Sequence, residues 1–251
     1  MKNKNRFLAF ALLAGMFTTA AVAETSGSTR YDNTIQQTVA QKLQDKKDFH
    51  NLQASVEDGI VTLNGSVNLY AQKLDAAKKV RKLDHVQGVR NLIEVSSTAP
   101  DAQIAAQLQR KLDYDRVGYD APFNYVAVSV QDGVATLNGT TRTAVAAGSA
   151  MYLAGNMPGV KDVVNDITVA PVSNYDDDIR IRAARAIYRD SVLSRYAIDP
   201  AAPIRIVVDR GQLSLFGVVS SKMDKEIAGM RAGQVFGVFS VQNNLVVANQ
   251  S

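Results

Sequence analysis

The chain of 251 residues has no cysteine, no tryptophan and only two histidines, His50 and His85. Without cysteine it can form no disulfide, no thiolate nucleophile and no cysteine-based metal site. Two histidines are too few for a His-rich zinc site, and we expect no metal ion and no cofactor. Hydrophobic residues make up 46% and charged residues 21% of the chain, which excludes wholesale disorder and is ordinary for a globular protein.

The first 23 residues have the pattern of a secretory signal peptide. Lys2, Lys4 and Arg6 form a positive stretch, an apolar stretch follows, and residues 21–23 form a small-x-small cleavage site. The apolar stretch is too short to span a bilayer, and no cysteine follows it that could be lipidated. The sequence therefore predicts a periplasmic protein that begins near Glu24, is not lipidated and has no transmembrane span after signal removal.

The basic balance of the chain belongs mostly to this signal. The chain has 28 basic and 24 acidic residues, and removal of the three basic residues of the signal leaves 25 against 24, a net charge of +1. Such a balance gives no argument for nucleic-acid binding. We therefore expect no nucleic acid among the partners.

One motif occurs three times and is the most specific signal in the chain. It reads VEDGIVTLNG in residues 56–65, VQDGVATLNG in residues 130–139 and VDRGQLSLFG in residues 208–217. A second motif, HVQGVRN, GVKDVVN or GVFSVQN, begins 20 residues after the last glycine of each copy. Two motifs at constant spacing in three copies indicate a triplicated unit. The glycines that we predict to be structural turn positions are Gly59, Gly65, Gly133, Gly139, Gly211 and Gly217.

The spacing of apolar residues switches between helical and strand periods within each copy. Residues four apart, such as Ile35 and Val39, predict a first helix, and alternating residues on both sides of an Asp-Gly or Arg-Gly pair predict a hairpin. A second helix and a last strand follow, so the sequence predicts an α+β fold of three tandem αββαβ repeats, each with two helices packed on a three-stranded sheet. The last strands are predicted to begin at Val86, Val160 and Val238. The predicted domains are residues 30–97, 101–171 and 175–249.

Each repeat is small, and this predicts contact between neighbours. A unit of about 75 residues buries only roughly 60% of its unfolded surface and is marginal alone. The linkers at 96–100 and 171–174 are short. We therefore expect neighbouring repeats to pack on one another.

These motifs resemble the BON (bacterial OsmY and nodulation) domain. The matching elements are the Val-x-Asp-Gly-Val-x-Leu-x-Gly core and the following Gly-Val-x-x-Val-x-Asn, in three copies over residues 30–249. Arg210 replaces the aspartate in the third copy, and His85 replaces a glycine in the first. The resemblance implies a non-enzymatic exported or envelope domain that contacts phospholipid surfaces or envelope proteins, often under osmotic or envelope stress. The matching residues determine the fold and leave the ligand open.

The second helix of the first repeat is one candidate contact surface. Lys78, Arg81 and Lys82 point away from its predicted core face together with Leu74. A basic stripe with one exposed leucine suits an anionic phospholipid surface. The alternative is a solvated face in which Asp75 pairs with a lysine three or four residues along.

The first helix of the third repeat is a second candidate. Arg182, Arg185 and Arg189 share one face, and arginine binds phosphate through two parallel hydrogen bonds. The alternative is that the aspartates at 176–178 complement the helix dipole and the arginines simply follow them or pair with a neighbouring repeat.

The loop between the first helix and the first strand lengthens from copy to copy. Aromatic side chains in such loops suit a bilayer or protein interface, or they close the core and the joints between repeats. The candidate anchors in the second repeat are Tyr114, Tyr119, Phe123 and Tyr125. The candidate anchor in the third repeat is Tyr196, which shares its loop with Leu193 and Ile198.

The second helix of the middle repeat has no charged residue between 143 and 157. Such a helix is usually covered, and we expect the first and third repeats to cover it and make the middle repeat a hub. If it is not covered, it is a membrane or oligomer surface.

No constellation of catalytic residues stands out, and we predict that the protein is not an enzyme. The sequence favours a periplasmic BON-type protein that binds a phospholipid or envelope surface. The alternative is a protein-interaction or chaperone-like module for exported polypeptides. The oligomeric state stays open.

Overall fold

A computed structural model describes residues 29–97, 99–115, 121–199, 201 and 203–248. The predicted signal peptide and Tyr119 lie outside these residues. The helices are α1 Asp32–Gln44, α2 Tyr70–Val80, α3 Asp101–Asp113, α4 Ala144–Gly155, α5 Asn174–Tyr188 and α6 Lys222–Gly233. The strands are β1 Leu52–Glu57, β2 Ile60–Val67, β3 Gly88–Asn91, β4 Glu94–Val95, β5 Tyr125–Gln131, β6 Val134–Thr141, β7 Asp162–Val169, β8 Ile204–Asp209, β9 Gln212–Val219, β10 Ser240–Asn243 and β11 Val246–Val247.

These elements form three αββαβ repeats, and the predicted α+β fold class is confirmed. In every repeat the second strand is central: it pairs antiparallel with the first strand and parallel with the last. The predicted helix faces are buried, with Ile35, Val39 and Leu43 of α1 at most 5% exposed. The helices therefore lie on the sheet because their apolar faces have the helical period.

The last strand begins two residues later than the sequence predicts. The backbone N–H groups of Val86, Val160 and Val238 donate to carbonyls of the turn that ends the second helix, so these valines do not pair with the sheet. In the first and third repeats the strand is also interrupted. In the first, Asn91 is the last residue before the break, and its side chain donates to the Lys73 carbonyl, at 3.0 Å.

The three hairpin turns use pairs of residues with positive φ, as the two-residue type I′ turn requires. Glycine occupies the second position, at Gly59, Gly133 and Gly211. The first position is Asp58 or Asp132 in two repeats and Arg210, at φ 49°, in the third. Because arginine seldom adopts this conformation, the third turn carries more backbone strain than the other two.

An aspartate of the first helix fastens the hairpin in every repeat. The Asp32 carboxylate accepts hydrogen bonds from the backbone N–H groups of Asp58 and Gly59, at 2.9 and 2.8 Å. Asp101 and Asp176 accept the same pair from the other two turns. The first helix and the hairpin are thereby joined at one fixed point in all three repeats.

The second motif glycines lie inside the central strands and not in turns, which corrects the sequence-based prediction for Gly65, Gly139 and Gly217. Each has positive φ. A Cβ at these positions would lie about 2 Å from a carbonyl oxygen of the neighbouring strand segment. These glycines are therefore required by the close approach of two backbones.

Neighbouring repeats are in contact at both joints. Tyr70 of the first repeat packs against the middle core beside Gly155, and burial with a hydrogen bond to Asp162 raises the pKa of Tyr70 to about 12. At the other joint the ring of Tyr125 stacks on Phe216, with centroids 4.2 Å apart. The middle repeat therefore contacts both others.

Candidate anion-binding grooves

The first repeat has a basic groove between the C-terminal ends of α1 and α2. We call it the lysine groove, and its lining residues are Lys42, Asp45, Lys46, Asp75, Lys78, Lys79, Lys82 and Leu83. Five lysines against two aspartates give this lining a net charge of +3. The groove is therefore a concave surface with an excess of positive charge.

Only some of these lysines are paired. Lys46 contacts Asp75 at 2.8 Å and Lys79 contacts it at 3.9 Å, so the predicted pairing of Asp75 along the helix is present. Lys78 and Lys82 make no ion pair within the described residues. The predicted surface residues of this helix are all exposed: Leu74, Lys78, Arg81 and Lys82.

The third repeat has a second basic groove between α5 and α6. We call it the arginine groove, and its lining residues are Arg182, Arg185, Ala186, Arg189, Asp190, Ser191, Arg231, Gln234, Val235 and Phe236. Four arginines against one aspartate again give a net charge of +3. The three arginines predicted from the sequence thus lie together, with Arg231 of α6 facing them across the groove.

Two arginines of this groove are paired and two are not. Arg182 contacts Asp178 at 3.2 Å, and Arg231 contacts Asp190 at 2.8 Å. Arg185 and Arg189 are exposed and make no ion pair within the part of the chain that the structure describes. Their guanidinium groups are available to an anion.

The two grooves occupy the same place in their repeats. Counted from the buried alanine of each second helix, Lys78 corresponds to Tyr152 and Met230, and Lys82 corresponds to Asn156 and Gln234. The first and third repeats supply cations to this place from different positions of the two helices. In the middle repeat α4 supplies none.

One stripe of α4 is exposed, so the expectation that neighbouring repeats cover this helix is wrong for that stripe. Val145 and Tyr152, seven residues apart, are 65% and 68% exposed. Tyr70 and Ala71 of the first repeat contact the end of the helix at Gly155. The residues of α4 that are buried are Ala146, Ala147, Ala150, Ala154 and Gly155.

The aromatic loop residues of the middle repeat are divided between surface and joint. Tyr114 is 55% exposed. Phe123 packs on the core of the third repeat, and Tyr125 stacks on Phe216. Phe123 and Tyr125 therefore join two repeats, which is the alternative that the sequence left open, and they are not placed to anchor a surface.

In the third repeat the loop side chains close the local core. Leu193 is fully buried and Tyr196 is 8% exposed, and the Tyr196 hydroxyl donates to Asp224 at 2.7 Å. Ile198 alone among the three is exposed. Tyr196 is thus withdrawn from the surface by packing and by its hydrogen bond.

The structure describes neither a metal cluster nor a membrane span. Within residues 29–97, 99–115, 121–199, 201 and 203–248, no group of three or more potential metal ligands comes together. No helix in those ranges has the length and apolar character needed to cross a bilayer. In the acidic run at 176–178, the Asp176 carboxylate already accepts hydrogen bonds from two backbone N–H groups of the hairpin turn.

Comparison with known proteins identifies the repeats. The family model of the BON domain matches residues 31–97, 100–171 and 184–249. The chain belongs to the BON domain family. A BON-containing relative by sequence is the osmotically-inducible protein Y of Escherichia coli (strain K12), which is 28% identical over 146 residues, covering 54% of this chain and 71% of the relative. The chain is thus related to an osmotic-stress protein.

Two solved structures also resemble the chain in part. Both are of CdsD, a structural protein of the type III secretion system of Chlamydia trachomatis, and both are 15% identical to this chain with a TM-score of 0.24. The alignments cover 84% and 87% of this chain and 96% and 93% of the two structures. At such a TM-score the likeness carries no argument about the present protein.

Two carboxylates of the third BON repeat are held ionised. A hydrogen bond from the Val192 backbone, together with Arg231, lowers the pKa of Asp190. Burial opposes ionisation of Asp224, but hydrogen bonds from Tyr196 and other neighbours outweigh it and lower its pKa. Asp190 thereby fixes Arg231 at the edge of the arginine groove, and Asp224 fastens the loop at Tyr196 to the start of α6.

Sequence reasoning treated each basic surface as the face of one helix and missed that two helices form each groove. Lys46 and Arg231 were therefore not singled out. Sequence reasoning also missed Phe236 and Phe239, which are exposed in the turn after α6. A comparison of the three repeats at these turn positions would have found them, because the other repeats have no aromatic residue there.

Proposed function

We propose that this BON protein is exported to the periplasm, is not an enzyme, and binds anionic phospholipid surfaces peripherally through the lysine and arginine grooves. The observation that carries the proposal is the repetition of one feature. Two repeats have a groove of net charge +3 in the same place, although the residues that build it differ. The relation to an osmotically inducible protein supports a role in osmotic or envelope stress.

Elementary electrostatics supports this ligand class. A lysine or arginine near an anionic leaflet contributes about 1 kcal/mol to binding, and the attraction falls off within a Debye length. Four cations make no ion pair within the described residues, and together they therefore provide about 4 kcal/mol at low salt: Lys78, Lys82, Arg185 and Arg189. Two grooves on one chain also raise the effective affinity when both reach the same surface.

Vesicle sedimentation tests the proposal. We expect the purified protein to bind vesicles of phosphatidylcholine mixed with phosphatidylglycerol, to bind them more weakly as salt is raised, and to bind pure phosphatidylcholine much less than the mixed vesicles. The double substitutions K78Q/K82Q and R185Q/R189Q each remove about 2 kcal/mol, or about 30-fold in affinity. Equal and negligible binding to both vesicle types would refute the proposal.

The middle repeat supplies a matched control. Arg110 and Lys111 are exposed cations at the end of α3, outside both grooves. We expect R110Q/K111Q to change the net charge by the same amount and to weaken vesicle binding much less than either groove variant. Equal effects of all three variants would mean that total charge, and not the grooves, determines binding.

A second candidate function is a protein-interaction or chaperone-like role. The observation that favours it is the exposed stripe of Val145 and Tyr152 on α4, since exposed apolar side chains can hold an unfolded segment. In that case Y152S would abolish suppression of client aggregation, and lipid would have no effect. The stripe is narrow, and the grooves therefore support the phospholipid proposal better.

A further inference from the structure

The turn between α6 and β10 exposes two phenylalanines. Phe236 is 83% exposed and Phe239 is 76% exposed, and the two are separated by Gly237 and Val238. Exposed phenylalanines are costly in water because the ring has no polar atom to solvate. Two of them on one turn form a small exposed apolar patch, and such a patch marks a binding surface.

The backbone of this turn is fixed. The Phe239 N–H donates to the Gly211 carbonyl at 2.9 Å, and the Tyr175 hydroxyl donates to the Gly237 carbonyl at 2.8 Å. Val235, immediately before the turn, is 8% exposed and belongs to the core of the repeat. The backbone that carries both rings therefore has little conformational entropy left to lose on binding.

The same turn forms the edge of the arginine groove. Phe236 lines the groove, and the Arg182 guanidinium lies 5.9 Å from the centroid of its ring. Arg182 also donates to the Phe236 carbonyl at 3.3 Å. A groove of cations that can bind phosphate thus has the apolar Phe236 ring at its edge, which is the pairing found where proteins bind the boundary between headgroups and acyl chains.

The feature is confined to the third repeat. At the position of Phe236 the first repeat has Asp84 and the second has Pro158. At the position of Phe239 they have polar residues, a glutamine in the first and a lysine in the second. The shared fold does not require phenylalanine at either place.

We propose that the third repeat is the inserting end of the protein, with Phe236 and Phe239 entering below the headgroups of an anionic bilayer while the arginines of the groove hold lipid phosphates. This inference rests on the proposed phospholipid function. It adds a contact that salt does not screen, because burial of the rings is hydrophobic. It also orients the protein, with the third repeat toward the bilayer.

Tryptophan fluorescence tests the insertion, since the chain has no tryptophan of its own. Single variants F236W and F239W, and the control Q87W at the equivalent turn of the first repeat, would be mixed with phosphatidylglycerol-containing vesicles that carry brominated acyl chains. We expect a blue shift and strong quenching at 236 and 239 and little change at 87.

Each outcome decides a separate point. Vesicle binding without quenching at 236 or 239 overturns the insertion and leaves the groove proposal standing, whereas no vesicle binding overturns both. Equal quenching at 87 overturns the assignment to the third repeat. A blue-shifted tryptophan before vesicles are added means that the rings are buried against a second copy, which also overturns the insertion.

A second variant gives an independent measurement. F236S/F239S leaves every arginine in place, so we expect it to keep salt-sensitive attraction but to lose the binding that persists at high salt, by about tenfold for each ring. R185Q/R189Q is expected to do the reverse. If F236S/F239S binds like the unmodified protein at every salt concentration, the rings do not insert.

Discussion

The middle and third repeats have the same fold, but their helix surfaces differ in chemical character. Above the sheet, α4 presents Val145 and Tyr152 and no charge, whereas α5 and α6 present four arginines around a groove. Yet both repeats have the same strand order, the same fastened hairpin and the same strand glycine. The difference teaches that the repeated motifs determine the shape and that the residues between them determine what the shape binds.

The largest expected effect is a loss of stability when a strand glycine that all repeats share is replaced. G139A and G217A each place a Cβ about 2 Å from a carbonyl oxygen on a backbone with positive φ. We expect each to lower the free energy of unfolding by about 3 kcal/mol or more, measured by urea denaturation.

The matched control is Gly148 on α4, where an added Cβ meets no atom within 4 Å. G148A should stabilise the protein by about 1 kcal/mol through helix propensity. If G139A, like G148A, did not lower the free energy of unfolding, the claim that the repeated motifs determine the shape would be wrong.

The next effect is a difference between the two repeats in how their stability depends on pH. Asp190 is buried and has a lowered pKa because of the Val192 backbone and Arg231, while the equivalent Asp115 accepts a hydrogen bond from neutral Ser149. A carboxylate with a lowered pKa contributes stability that is present above the ordinary pKa of about 3.9 and lost as pH falls through the lowered value.

We therefore expect D190N to lower Tm at neutral pH and to reduce the loss of stability between about pH 4 and the lowered pKa. Thermal unfolding at several pH values measures this. If D190N leaves the fall of Tm at acid pH unchanged, Asp190 is not the cause of that loss of stability.

A smaller effect concerns the joint between these two repeats. Stacking of Tyr125 on Phe216, with centroids 4.2 Å apart, is expected to couple them by about 0.5–1.5 kcal/mol. A double-mutant cycle with Y125A and F216A measures the coupling. Additive single effects would mean that the repeats are held together by other contacts.

The smallest effect is at the third hairpin. Arg210 has φ 49° where the other repeats have aspartate, and asparagine or aspartate tolerates this conformation better. R210N should stabilise the third repeat by about 0.5–1 kcal/mol, again by urea denaturation. The same kind of exchange at the second hairpin, D132N, should leave stability nearly unchanged.

Local patterns predicted the helices, the hairpins and the order of elements, because buried faces such as Ile104 and Leu108 repeat with the helical period. They misplaced the start of the last strand, because Val86 reads as a strand residue while its N–H is used by a turn. They could not decide between surface and joint for Tyr125, whose neighbour Phe216 lies 91 residues away in the chain. The grooves likewise depend on how two helices pack, and the spacing of residues along one helix does not determine that packing.

Hydrogen–deuterium exchange of the whole protein on phosphatidylglycerol-containing vesicles tests the central claim most directly. The account predicts that the vesicles slow exchange around the arginine groove, the turn at 235–239 and the lysine groove, and leave the exposed face of α4 unchanged. Slowing that is confined to α4, or equal slowing across all three repeats, would contradict it.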